Sequence, residues 1–111
     1  MTDWSEAFAL TLALELPVVV WALRGSLGLG RSVLVGLGAQ VLTHPALWFL
    51  LPRFEPWLLW VLCAEALVCA VEAGWYAAWL RHAGAADARR AGLLALGANL
   101  LSTLPALWWW A

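Results

Sequence analysis

Charge is what this sequence lacks most. Only 12% of its 111 residues are charged, against 65% hydrophobic. A soluble domain of that length needs a polar surface, and this composition cannot supply one. Basic residues are six, all arginine, divided among three short segments. They cannot form the clustered basic surface that nucleic acid requires, so no nucleic-acid partner is expected. Cysteine is limited to Cys63 and Cys69. At that spacing on one helix they point to different faces and cannot bridge each other. They read as small core hydrophobes.

Chemical motifs are missing as well. The segment from Met1 to Glu6 carries Asp3 and Glu6 and no basic residue, unlike a cleaved signal peptide. The run Gly25-Ser26-Leu27-Gly28-Leu29-Gly30 has glycines but follows no strand, so it reads as a flexible turn rather than a nucleotide loop. His82, in an arginine-containing segment, reads as solvated. His44, Glu65 and Glu72 are able to bind a metal, but one His with two Glu on another helix matches no metal spacing. No metal or other cofactor is expected, and an intramembrane enzyme ranks third among the functional readings.

What is present is apolar sequence in four runs, at about 7–23, 32–51, 57–80 and 92–110. At a rise of about 1.5 Å per residue, each approaches the ~30 Å of a bilayer's hydrocarbon core. Lipid offers backbone groups no water, so the runs must be helical. The expected fold is all-α: a polytopic membrane protein with four transmembrane helices in a single membrane domain over 1–111. Arg24 and Arg31 follow the first run and Arg81, Arg89 and Arg90 the third, whereas the middle segment holds only Arg53 beside Glu55. The positive-inside rule puts the first and third loops in the cytoplasm and both termini outside. The expected location is a bacterial cytoplasmic membrane. Trp4, Trp48, Trp57, Trp60 and Trp108 to Trp110 fall near outer ends of the runs, and Trp21, Trp75 and Trp79 near inner ends, as in an aromatic belt.

The chain also reads as two copies of one helical hairpin, over about 7–51 and 64–110. Leu37-Gly38-Ala39-Gln40-Val41-Leu42-Thr43 matches Leu96-Gly97-Ala98-Asn99-Leu100-Leu101-Ser102. Each is followed closely by Pro-Ala-Leu-Trp, at Pro45 to Trp48 and Pro105 to Trp108. Upstream, Glu15 precedes Leu23-Arg24 at the same spacing at which Glu72 precedes Leu80-Arg81. Two runs per copy make the repeats parallel, related by an axis along the membrane normal.

A polar layer crosses the middle of all four runs. Glu15 is central in the first. Gln40, with Thr43 and His44, is central in the second. Glu65 and Glu72 bracket the centre of the third, and Asn99, Ser102 and Thr103 straddle that of the fourth. An ionisable group at that depth costs about 2.5–3.5 kcal/mol on insertion scales, so three glutamates require a reason. No Arg or Lys lies within a run to balance them. Glu65, Cys69, Glu72 and Tyr76 share one helical stripe. Gly36, Gln40, Thr43 and His44 share another, as do Ala95, Asn99, Ser102 and Ala106. Small residues on these faces permit close helix approach, so the stripes are expected to turn inward. Pro17, Pro45 and Pro105 free the carbonyls of Ala13, Val41 and Leu101, which can accept from Gln40, Asn99 or a water.

In size and number of runs the chain resembles the small multidrug resistance transporters, which also place a glutamate in their first membrane helix. The resemblance covers architecture and no continuous motif, so no residue role or mechanism follows from it. The residues point first to proton- or cation-linked transport or permeation. Its candidates are Glu15 and Glu72, with Gln40, Thr43, Asn99 and Ser102 around them and Glu65 and His44 as modulators. Four helices are thin for a path, so a homo-oligomer or a larger membrane-protein partner is expected within the lipid bilayer. The alternative is a non-catalytic accessory or assembly subunit of a larger membrane complex.

Overall fold

A computed structural model describes residues 4–110, and within them every side chain except those of Ala106, Trp108, Trp109 and Trp110. Met1 and Asp3, the last three tryptophans of the expected belt and Ala106 of the fourth stripe lie outside the described residues or side chains. The chain is four helices, α1 (Trp4–Leu27), α2 (Leu29–Phe49), α3 (Trp57–His82) and α4 (Ala88–Trp110), with no strand among the described residues. Each carries apolar residues all round rather than on one stripe. Among the described residues three, α1, α2 and α3, are long and apolar enough to cross a membrane.

The helices run past the apolar segments that predict them, and the glycine-rich stretch is where this matters. It is not a flexible turn: Gly25, Ser26, Leu27, Leu29 and Gly30 are helical and Gly28 alone breaks the run. Gly28 adopts φ 84, a conformation that costs a residue without Cβ little, and the chain reverses there. Its N–H donates to Arg24 O at 2.9 Å, and its carbonyl accepts from Ser32 N–H at 3.0 Å and the Ser32 hydroxyl at 2.6 Å. The turn therefore leaves few backbone groups open. Between α3 and α4, Gly84 at φ 76 makes the corresponding turn, and Asp87 Oδ1 caps α4 by accepting from Arg90 N–H at 3.0 Å. Between α2 and α3, Arg53 lies over the rings of Trp48 and Trp60, 5.3 and 4.6 Å from their centroids. Trp60 also donates its indole N–H to Pro52 O at 3.0 Å.

Each helix packs on the next in chain order, and α1 closes the ring on α4. The bundle measures 42 Å along its axis, close to the ~40–45 Å of a bilayer with its headgroups. Leu34, Leu50, Leu62, Leu93 and Leu104 are all more than half exposed on its flank. Surface of that kind on such a scale is suited to lipid rather than water. One end, called the terminal end, holds the start of α1, the end of α4 and Arg53, the other Arg24, Arg31, Arg81, Arg89 and Arg90. Between the middle and the arginine-rich end the core is closed, with Val19, Leu23, Leu80, Ala91 and Ala95 at 0% exposure. Toward the terminal end a smaller cluster gathers around Trp60, Val61 and Ala64.

Candidate functional site

Four helices each bring one or two polar side chains to the bundle's middle, and there they bond to one another. Glu15, Gln40, Thr43, Glu72 and Asn99 are buried and Ser102 is half-buried. Gln40 Nε2 donates to Glu15 Oε1 at 2.9 Å and reaches Glu72 Oε2 at 3.4 Å. Asn99 Nδ2 donates to Glu72 Oε1 at 2.6 Å and to Ala95 O at 2.8 Å. The Thr43 hydroxyl bonds Glu72 Oε2 at 2.9 Å, and the Ser102 hydroxyl bonds Glu15 Oε2. Glu15 on α1 thus takes an amide from α2 and a hydroxyl from α4. Glu72 on α3 takes an amide from α4 and a hydroxyl from α2. No arginine enters the layer to neutralise it.

The two hydroxyls carry a further constraint. Thr43 Oγ1 is also 2.9 Å from Ala39 O, and Ser102 Oγ is 3.2 Å from Asn99 O. A hydroxyl has one proton and two lone pairs. Thr43 can therefore donate to Glu72 or to its own helix, not to both. When Glu72 is ionised, the hydroxyl donates to the carboxylate. When Glu72 is protonated, the acid donates to Thr43 Oγ1 and the hydroxyl turns to Ala39 O. Ser102 offers Glu15 the same choice between its carboxylate and Asn99 O. Both protonation states of both acids are satisfied with the heavy atoms where they stand.

No known protein family, curated protein or solved structure matches this chain.

The other predicted site residues stand apart from the layer, toward the terminal end. His44 shares a 3.3 Å hydrogen bond between Nε2 and Thr11 Oγ1, and its ring lies 5.2 Å from that of Phe8 and 6.5 Å from that of Trp48. Glu65 is half-buried and faces Thr103 of α4, yet neither Glu65 Oε2 nor the Thr103 hydroxyl completes a bond. His44, Glu65 and Glu72 are not brought together, and among the described residues no three His, Cys, Asp or Glu side chains gather as a metal site. The carbonyls freed by proline do not receive the amides expected there. Gln40 turns to the two carboxylates and Asn99 to Glu72 and Ala95 O, because a buried carboxylate is the stronger acceptor.

Sequence reasoning passed over Thr11, whose place one turn from Glu15 was its only signal. It also read Trp60 and Trp75 as belt residues. Both are packed inward instead, and Trp75 donates its indole N–H to Val35 O at 2.9 Å. Trp21, 69% exposed, and Trp57, 39% exposed, do face outward. On the flank, an apolar groove between α2 and α3, lined by Leu42, Ala46, Leu67 and Val71, leads to Thr43.

Proposed function

We propose that this chain crosses the membrane four times, as two parallel copies of one helical hairpin, and moves protons by way of Glu15 and Glu72. One observation carries the reading: each acid faces a hydroxyl able to serve it in either protonation state. A pair that only fixed packing would need one donor per acceptor. A pair that exchanges protons needs a neighbourhood that tolerates both forms, since an unmet buried charge or donor is costly. Lack of a basic counter-ion supports the same reading, because no fixed positive charge holds either acid ionised.

The duplication is supported by the pattern of partners. In the aligned copies Glu15 stands opposite Glu72, Gln40 opposite Asn99 and Thr43 opposite Ser102. Each acid takes an amide from its own copy and its hydroxyl from the other, and Glu72 is reached in addition by Gln40 of the first copy. Exchange of that kind is what a twofold axis through the layer produces. For α4 as a fourth span, support comes from its 23 residues, about 35 Å by helix rise, and from its packing on both α1 and α3. The arginines at the helix ends that flank the α1–α2 and α3–α4 turns favour a cytoplasmic position for both turns.

The test is proton flux into liposomes holding the full chain and a trapped pH dye. Glu15→Gln and Glu72→Gln keep a hydrogen-bonding side chain but carry no exchangeable proton at that oxygen. Each is expected to abolish flux while the bundle still folds. Flux unchanged in well-folded variants would overturn the proposal in favour of packing alone.

A second reading is favoured by α3. Ala66, Ala70, Gly74 and Ala78 form an exposed stripe of small residues, and a Cβ at Gly74 would meet nothing within 4 Å. Such a face suits close approach of another membrane helix. It fits a homo-oligomer or a larger membrane partner, and in the latter case an accessory-subunit role. Copurification with mass spectrometry separates the two, since only the latter brings down a stoichiometric larger protein.

A further inference from the structure

The layer divides the bundle into two unlike halves. From the carboxylates toward the arginine-rich end, the core consists of Val19, Leu23, Val35, Leu80 and Leu94 with small alanines between them. Tyr76 brings a hydroxyl there, one turn from Glu72, but it is fully buried and meets no partner. The next polar side chain in that core, Ser32, is spent on the Gly28 carbonyl at the helix end.

From the carboxylates toward the terminal end, polar side chains stand beside the smaller apolar cluster of Trp60, Val61 and Ala64. Glu65 and Thr103 face each other between α3 and α4, and His44 and Thr11 do so between α1 and α2. Glu65 Oε2, Thr103 Oγ1 and His44 Nδ1 are each buried without a hydrogen-bond partner in the protein. Such groups are seldom left unmet, and water is their usual partner where the surroundings are polar. The Glu65–Thr103 pair is the richer site, a carboxylate and a hydroxyl near enough to interact, with Glu65 Oε2 left unmet. It lies on the Glu72 stripe, two helical turns nearer the terminal end.

We infer that Glu65 and Thr103 form a hydration site through which water or hydronium reaches the Glu15–Glu72 pair from the terminal end, while in this conformation the apolar core closes the arginine-rich end, which must open for a proton to leave on that side. This deepens the proton-moving reading and rests on it for purpose, but water access can be read without any flux. The chemistry is plain proton relay: a hydronium gives its proton to Glu65, and water carries it on to Glu72. No covalent bond other than O–H forms or breaks.

The experiment uses the full chain with Cys63→Ala and Cys69→Ala, in sealed vesicles of both orientations, probed with a membrane-impermeant methanethiosulfonate. Glu55→Cys marks the terminal side and Ala86→Cys the arginine-rich side, both at exposed positions. Thr103→Cys is expected to label in the vesicles that label Glu55→Cys, and Leu80→Cys in neither. Glu65→Cys is a second reporter of the same place should Thr103→Cys fold poorly. Labelling of Thr103→Cys and Glu65→Cys lost from the terminal side, or labelling of Leu80→Cys from the opposite side, overturns the inference. If Thr103→Cys labels as expected while flux is indifferent to Glu15→Gln and Glu72→Gln, the hydration site stands and the transport reading falls.

Discussion

Trp75 lies with its indole ring against Gly38, so that a Cβ added at Gly38 would sit 2.8 Å from Trp75 Cζ2. The contact lets Trp75 Nε1 reach Val35 O across the α2–α3 interface. A tryptophan ring cannot yield as the end of a leucine can, so Gly38→Ala must push the helices apart. Overpacking of this kind costs about 1–3 kcal/mol. Gly97 holds the matching position in the second hairpin, yet a Cβ there would meet nothing within 4 Å. Counting three residues on from the aligned glutamates, the residue matching Trp75 is Val18, which has no indole to lay on Gly97. Gly97→Ala is therefore expected to be neutral or to stabilise, by up to about 1 kcal/mol from helix propensity. Thermal unfolding of the two variants in one detergent checks the contrast, and equal effects would contradict it.

Thr43 should tolerate serine and reject valine. Thr43→Ser keeps the hydroxyl that can turn between Glu72 and Ala39 O, and proton flux should survive it. Thr43→Val keeps the shape and removes both options. Its stability cost should be modest, since hydrogen bonds between membrane helices average about 0.6 kcal/mol and reach ~1.7. Flux should nevertheless be lost. A variant that is nearly as stable as the parent but silent would separate proton exchange from packing. Retained flux in Thr43→Val would remove the hydroxyl from the mechanism.

Arg90 and Arg89 are neighbours in sequence with different duties. Arg90 donates to the Ala22 carbonyl and, at 2.7 Å, to Ser26 Oγ, tying the start of α4 to the end of α1. Arg89 is exposed. Charge-assisted bonds contribute about 1.5–3 kcal/mol, and both are lost together in Arg90→Met. Arg89→Met should fall within about 0.5 kcal/mol of the parent. Unfolding free energies in detergent decide it, and comparable losses from both substitutions would count against the clasp.

Much of this was readable in the chain because lipid leaves few alternatives. Long apolar runs have to become helices, and glutamates within them have to face other polar groups. Helix rise placed Glu15, Gln40, Glu72 and Asn99 at one depth, and they meet there. Rise also explains the failure at Glu65. Seven residues from Glu72 keeps it on the same stripe but about 10.5 Å away, beyond any shared bond. Which hydroxyl serves which acid was not readable, because helices apolar on every side give no moment to fix their rotation. Trp60 and Trp75 misled for a related reason. An indole near a helix end suits the membrane interface, but equally an inward slot with a carbonyl in reach, and only packing chooses between them. The glycine run misled because glycine in a helix is merely unfavourable, not forbidden.

Among the described residues Gln40 is the one side chain that hydrogen-bonds to both acids, and its removal should make them independent. In the parent, Glu15→Gln alters the demands on an amide nitrogen that also reaches Glu72, so the effects of Glu15→Gln and Glu72→Gln should not add. Coupling between residues in one network is commonly about 0.5–3 kcal/mol. In a Gln40→Leu background, the bridge is gone and the two substitutions should add within about 0.5 kcal/mol. Asn99→Leu is the control, because Asn99 bonds Glu72 and its own helix but not Glu15. Coupling should persist in that background. Measured as unfolding free energies of all four combinations in each background, the outcome turns on whether non-additivity disappears with Gln40 alone. If it survives in Gln40→Leu, the acids sense each other by another route and the bridging role of Gln40 is wrong.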